Sequence, residues 1–253
     1  IDILFKFFIL LTSIDLSNFD TKKVLFLNSL FYNCSSLKYI DLSNFDTKLV
    51  RRMDYMFNGC TSLTSINLSS FKTPELSNML SMFRDCQSLE YIDISKLETR
   101  KVYDFGNLFA NCYSLTSIKL DKIDMSQAQD MSHMFENCNN LKSLNLLDID
   151  TSYCKDFSYM FNGCKSLEKL EISTFNTTSA TDMSYMFNGC SSLTEIDVSS
   201  FNTAKVQKMN YMFNSCSSVT SLDFMSFNTG NCRDFTSMFD NCGEIYISIN
   251  KDI

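Results

Sequence analysis

Apolar residues along this chain alternate between two spacings. Ile40-x-Leu42 repeats every second residue, the mark of a short strand with one buried face. Val50, Met53, Met56 and Phe57 then sit at i, i+3, i+6 and i+7, which predicts one apolar face of a short helix. Thr47 is placed to cap the start of that helix, and Gly59 lies just past its end, where a left-handed residue fits. Other copies put Asn33, Asp85, Asn111, Asn137 or Gly163 in that place, and Asn and Asp tolerate the same conformation.

The pair of patterns recurs in fixed register. Cys34, Cys60, Cys86, Cys112, Cys138, Cys164, Cys190, Cys216 and Cys242 stand 26 residues apart, each three residues after a Phe (Phe31 to Phe239). Leu37 to Leu193 follow three residues later, with Val219 and Ile245 closing that row. A second Phe column (Phe19, Phe45, Phe71, Phe175, Phe201, Phe227) and a Thr column (Thr21, Thr47, Thr73, Thr99, Thr177, Thr203) keep the same phase. A period of 20–50 residues signals one unit copied along an axis. A helix this short is unstable alone and borrows stability from stacked neighbours. The expected fold is an α/β solenoid, a right-handed superhelix of about ten strand–helix turns. Its strands would pair at roughly 4.8 Å in one parallel sheet on the concave face, on the order of 45 Å long, with short helices on the convex face.

Leu37-x-x-Ile40-x-Leu42 resembles the strand signature of leucine-rich repeats. The longer unit from Met186 through Cys190 and Leu193 to Thr203 is similar to the BspA-like variety, found in surface proteins and lipoproteins of bacteria and some protists. The resemblance covers essentially the whole chain. It implies a cell-surface adhesion or interaction protein, although fold alone does not fix function.

The unbroken register, with 6 Gly and 1 Pro in 253 residues, argues for a single solenoid over 1–253. Within it, 1–33 reads as a degenerate first turn, 34–241 as regular turns and 242–253 as an irregular terminal strand. Ile1 to Leu11 also resembles the apolar part of a signal peptide. Against that, Phe5, Leu11, Ile14 and Leu16 fall in the repeat columns, with Phe8 in the Cys slot as an apolar filler. At the other end, Ile245-x-Ile247-x-Ile249 runs one residue out of step, which predicts a bulge or a covered outer face. Tyr246, Ile247 and Ile249 are therefore a candidate assembly edge.

Eleven Cys would suit disulfides in a secreted chain, yet stacked thiols in one column have parallel rather than converging Cβ vectors. They read as free, buried small hydrophobes. Zinc is a poor fit, since His133 is the only His and there is no Cys-x-x-Cys pair. The Met column is core filler. No cofactor motif, phosphate loop or nucleophile elbow is present, and repeated acids do not converge as a catalytic pair does, so the chain reads as no enzyme. His133 is placed on the outward helix surface, without repeated partners.

Between the inward strand residues runs an outward column: Asp15, Asp41, Asn67, Asp93, Lys119, Asn145, Glu171, Asp197 and Asp223. The acid runs Asp15–Asp41 and Glu171–Asp197–Asp223 read as a solvated face whose Asp side chains bond nearby backbone and Ser; the competing reading is that like charges repel, raising their pKa values or attracting Ca²⁺ or a basic ligand. Tyr39 and Tyr91, one position earlier, are candidate contact residues. The candidate binding set is Tyr39, Asp41, Tyr91, Asp93, Lys119, Glu171, Asp197 and Asp223. The middle turns deviate most, with Leu97, Ile123 and Ile149 in place of Phe and Met125 in place of Thr, which marks a binding patch or drift. Asn67 and Asn176 are candidate glycosylation sites; Asn33 lies too near the core.

A net charge of −7 speaks against a nucleic-acid partner, and no apolar run is long enough to span a membrane. The expected role is extracellular recognition of a protein or glycan partner, or else self-assembly of copies of the chain into a filament or layer.

Overall fold

The computed structural model describes residues 4–249. Equivalent side chains of successive turns touch their own kind. The first Phe column forms one ring stack from Phe5 through Phe31, Phe57, Phe83, Phe109, Phe135, Phe161, Phe187 and Phe213 to Phe239. Neighbouring centroids lie 5.5 Å apart at Phe31–Phe57 and 5.9 Å at Phe109–Phe135, with planes within 18° of parallel. Around this spine the Leu, Met and Cys columns are buried from Leu27 to Val219.

The strand side is built from β1 (Tyr91–Asp93), β2 (Ser117–Lys119), β3 (Ser143–Asn145), β4 (Lys169–Glu171), β5 (Ser221–Phe224) and β6 (Tyr246–Ile249). Among the described residues they pair in parallel only as β1–β2, β3–β4 and β5–β6, so the continuous sheet expected there is interrupted. The extended segments are short where an Asx side chain captures the backbone N–H two residues on, as Asp41 Oδ1 does with Ser43 N (2.9 Å) and Asn145 Oδ1 with Leu147 N (3.0 Å). An Asx turn ends the strand by taking a donor the sheet would use.

The opposite side corrects the helix expectation: no helix occurs among the described residues. Met56 N donates to Met53 O, Asn58 N to Tyr55 O and Cys60 N to Phe57 O, three overlapping tight turns. Tyr55 (φ 59°) and Gly59 (φ 76°) are left-handed, at the third residue of the first and last of them, the place a type II turn requires. The remaining donors reach the next turn: Met53, Tyr55, Phe57 and Gly59 N–H bond to the carbonyls of Asn78, Leu80, Met82 and Arg84 at 2.8–3.2 Å. The spacing i, i+3, i+6 serves chained turns as well as a helix, and two left-handed residues four apart exclude the helix. The unbroken inter-turn ladder is on this side, with single bridges from Phe26 through Arg52, Asn78, Asp104, Asp130, Asp156, Asp182 and Lys208 to Asp234.

Two columns fasten turn to turn in ways the spacing does not reveal. Thr47 does not cap a helix. Its Oγ1 donates to Lys72 O (2.8 Å) and accepts from Lys72 N (2.9 Å) in the next turn. The same double bond joins Thr21 to Asp46, Thr73 to Glu98, Thr99 to Asp124, Thr151 to Asn176, Thr177 to Asn202 and Thr203 to Asn228. Cys86 Sγ donates to Phe57 O of the preceding turn (3.2 Å), and that carbonyl also accepts from Cys60 N (3.0 Å), so both lone pairs are used. The column is therefore both small hydrophobe and donor, and all eleven Cys are free. Burial raises these thiols, to about 11 at Cys34 and about 12 at Cys164 and Cys216. Phe8 takes the Cys position of its turn, but its side chain is exposed rather than a core filler.

At the C-terminal end Leu222 pairs with Ile247 and Phe224 with Ile249, an offset of 25 rather than 26. Neither a bulge nor a cover is needed: one residue is missing between Ile245 and Ile247, and the pairing absorbs it.

Candidate functional site

The outward columns of the strand side form one polar face. Tyr39 and Tyr91 project from it, 62% and 47% exposed. The acids beside them are fixed by backbone bonds rather than left as a repelling row. Asp15, Asp41 and Asp93 sit below the usual carboxylate range, as the reading of a face bonded to backbone and Ser requires. Bonds from the backbone and hydroxyl of Ser17 and Ser43 hold the first two down. For Asp93 the Ser95 hydroxyl contributes most, against burial, with help from Lys119. Asp197 accepts from Ser199 N and Oγ, and Asp223 from Met225 N and Ser248 Oγ. Charge is also paired on the face. Lys119 lies 3.6 Å from Asp93 across β1–β2, and Glu171 accepts from Lys169 at 2.7 Å. The structure thus sets Asp93 beside Tyr91 and Lys119 in one cross-strand group and leaves Glu171, Asp197 and Asp223 several turns away. Among the described residues no group of three His, Cys, Asp or Glu side chains is disposed to hold a metal ion.

Asn67 and Asn176 are exposed, with their Oδ1 atoms engaged by Ser69 N and Thr178 N. Tyr246 and Ile249 are 74% and 58% exposed on β6, and Ile247 is half-buried opposite Leu222.

The ladder side holds residues the sequence reading missed. His133 stacks on Tyr159, Tyr159 on Tyr185 and Tyr185 on Tyr211, at 4.4–4.6 Å and within 11° of parallel. His133 therefore does have repeated partners, and it lies on a left-handed turn residue, not a helix. Its Nδ1 is 2.7 Å from Glu136 Oε2, while Glu136 Oε1 accepts from Asn162. Burial would raise Glu136, but the bonds from His133 and Asn162 outweigh it and hold the carboxyl down. Three positions before this aromatic row runs the acid row Asp104, Asp130, Asp156 and Asp182. Burial raises Asp104 and Asp156 against their backbone bonds, and neighbouring acids add to the rise. Asn78 Nδ2 (3.3 Å from Asp104) and Lys208 Nζ (2.7 Å from Asp182) close the two ends. Neither row is of one residue type along the chain, so neither stands out as a column.

The arrangement defines a repeat scaffold: a leucine-rich-repeat-type solenoid with a rigid polar face. A leucine-rich repeat protein of Bacteroides ovatus matches 94% of this chain over 54% of its own length, at 20% identity and a TM-score of 0.56. The chain thus spans little more than half of that protein. A leucine rich cell surface protein of Faecalibacterium prausnitzii matches 88% of the chain and 76% of its own, at 19% identity and a TM-score of 0.35. The T. pallidum leucine-rich repeat protein covers 75% of the chain over 68% of its own, at 18% and 0.39. Only the first carries weight, and it speaks for the fold. The chain belongs to the family described as "Mycoplasma protein of unknown function, DUF285", which matches residues 4–122, 104–196 and 129–252. The expected likeness to BspA-like repeats holds in the fold. No curated protein matches.

Proposed function

We propose that the strand face from Tyr39 to Asp223 is a non-enzymatic recognition surface for a protein or glycan partner, displayed outside the cell by one solenoid spanning residues 1–253. The observation that supports this most is the state of its acids. Asp41, Asp93 and Asp197 are pinned by Ser N–H groups and Asp223 by Met225 N–H, so these side chains are presented in one conformation and little ordering entropy is lost on binding. Tyr39 and Tyr91 offer large, amphipathic contact area on that fixed ground. A net charge of −7 favours partners other than nucleic acid. The test is binding of the purified chain to immobilised glycans and extracellular-matrix proteins, with Tyr39→Ala and Tyr91→Ala compared. Loss of binding in either variant at unchanged melting temperature supports the reading. Binding indifferent to both variants overturns it.

A second reading has its own observation. Leu10 is 84% exposed at one end and Tyr246 and Ile249 are exposed at the other, which favours end-to-end assembly of copies. Electron microscopy decides it: filaments that shorten in Ile249→Lys support assembly, and monodisperse short rods at high concentration refute it.

A further inference from the structure

One junction between turns is unlike the others. Among the described residues seven Thr clamps join turn to turn, but the turn carrying β2 has Met125 in the Thr slot, and Met offers no hydroxyl to the backbone of Asp150. β2 and β3 are unpaired there, as most successive turns on this side are. Ile123 and Ile149 replace the Phe of the second aromatic column in both flanking turns, removing ring volume where the clamp is missing. Lys122 (φ 71°) lies there too, the one left-handed residue among those described outside the two regular turn columns. On the far side nothing has changed: Asp104 bridges Asp130, Asp130 bridges Asp156, and Phe109 still stacks on Phe135 at 5.9 Å. On the strand side the two turns line a cleft of about 330 Å³.

We propose that this cleft seats a single neutral sugar residue, which gives the recognition face proposed above, on which this inference rests, a glycan as ligand. The floor is aliphatic, with Ile118 half-buried, as Ile66 is two turns earlier. The C–H face of a pyranose would lie there. The rim carries donors and acceptors together: the Ser117 and Ser143 hydroxyls, the Asp121 and Asp148 carboxylates, and the Asn145 amide. Asn145 Oδ1 is committed to Leu147 N, which orients its Nδ2 as a donor. A ring of vicinal hydroxyls, each both donor and acceptor, matches a mixed rim of this kind. A fully charged ligand does not, since Lys122 stands among the two acids. A peptide strand does not fit either. It needs about 4.8 Å to a neighbour on each side, roughly twice the spacing of adjacent turns.

The experiment titrates the full chain with methyl glycosides of glucose, galactose, mannose and N-acetylglucosamine, read by saturation-transfer NMR and calorimetry. At least one is expected to bind in the millimolar range. Asn145→Ala is expected to weaken it by about tenfold or more. Met125→Thr, which restores the clamp, is expected to raise the melting temperature and weaken the same binding. Silence of all four glycosides overturns the proposal, as does binding unchanged in Asn145→Ala. Should Met125→Thr fail to fold, the Asn145→Ala comparison decides alone. If the glycosides are silent while Tyr39- and Tyr91-dependent binding to larger partners persists, the cleft proposal falls and the recognition face stands.

Discussion

Replacing Thr177 by Val tests the clamp most cleanly. Thr177 is 1% exposed, and its Oγ1 donates to Asn202 O at 3.0 Å and accepts from Asn202 N at 2.7 Å. Val keeps the shape and removes both bonds. Each is worth roughly 0.5–1.5 kcal/mol net, and a group left without a partner costs roughly 1–3 more. Water reaches Asn202, which is exposed, and recovers part of this. The expected loss is therefore ~2–4 kcal/mol. Thr177→Ser keeps the hydroxyl and gives up one buried methyl, ~0.8 kcal/mol. Urea unfolding followed by circular dichroism compares the two, with the slope checked for constancy so that the midpoint reports stability. A Val variant no less stable than the Ser variant would refute the reasoning, because the hydroxyl would then carry no load between turns.

Phe135→Ala removes one ring from the middle of the spine and is expected to cost ~3–5 kcal/mol in the same assay; a loss below ~1 would place that column outside the core. Ellman titration of the native chain near pH 8 is expected to find only Cys232 and Cys242, the two half-buried thiols, with all eleven reacting once the chain is unfolded; fast native labelling of the column would contradict the burial that raises these thiols. Asp156→Asn keeps the Asx geometry and removes a charge from the acid row. Since the folded-state pKa of Asp156 is raised, its penalty is present above that pKa and disappears as pH falls through it. The variant is therefore expected to melt higher than the parent at pH 7 and to match it at low pH, and an advantage that persists in acid would overturn the sign.

What the sequence yielded depended on whether a column holds one residue type. The Cys, Phe and Leu columns are nearly uniform, and burial and stacking follow from them directly. The left-handed slot of Asn33, Gly59 and Asp85 was legible because those residues tolerate positive φ. Its partner four residues earlier holds mostly Tyr and Ser, as at Tyr55, Ser81, Tyr159 and Tyr185, types that give no such signal, so chained turns read as a helix. The clamp was visible as a Thr column but its partner lies 25 residues on, in another turn, where a local reading finds only a cap. Of the two readings of the strand acids, bonding to nearby backbone and Ser is the one that holds, because each Asp takes the N–H two residues on before it meets its neighbour. The deviation at Ile123, Met125 and Ile149 was plain in the sequence, and only the stacking of turns brings those positions to one cleft.

The central claim is that residues 26 apart lie one above another along a single axis. Electron paramagnetic resonance distances test it, using spin labels on Cys introduced in place of Lys38, Lys142 and Thr194, all exposed, with Cys232 and Cys242 changed to Ser. Positions 38 and 142 are four repeats apart, and 38 and 194 six. At ~5 Å per turn the account predicts label separations near 20 Å and near 30 Å, in order of repeat number. Separations that do not grow with the number of repeats between the labels would contradict it.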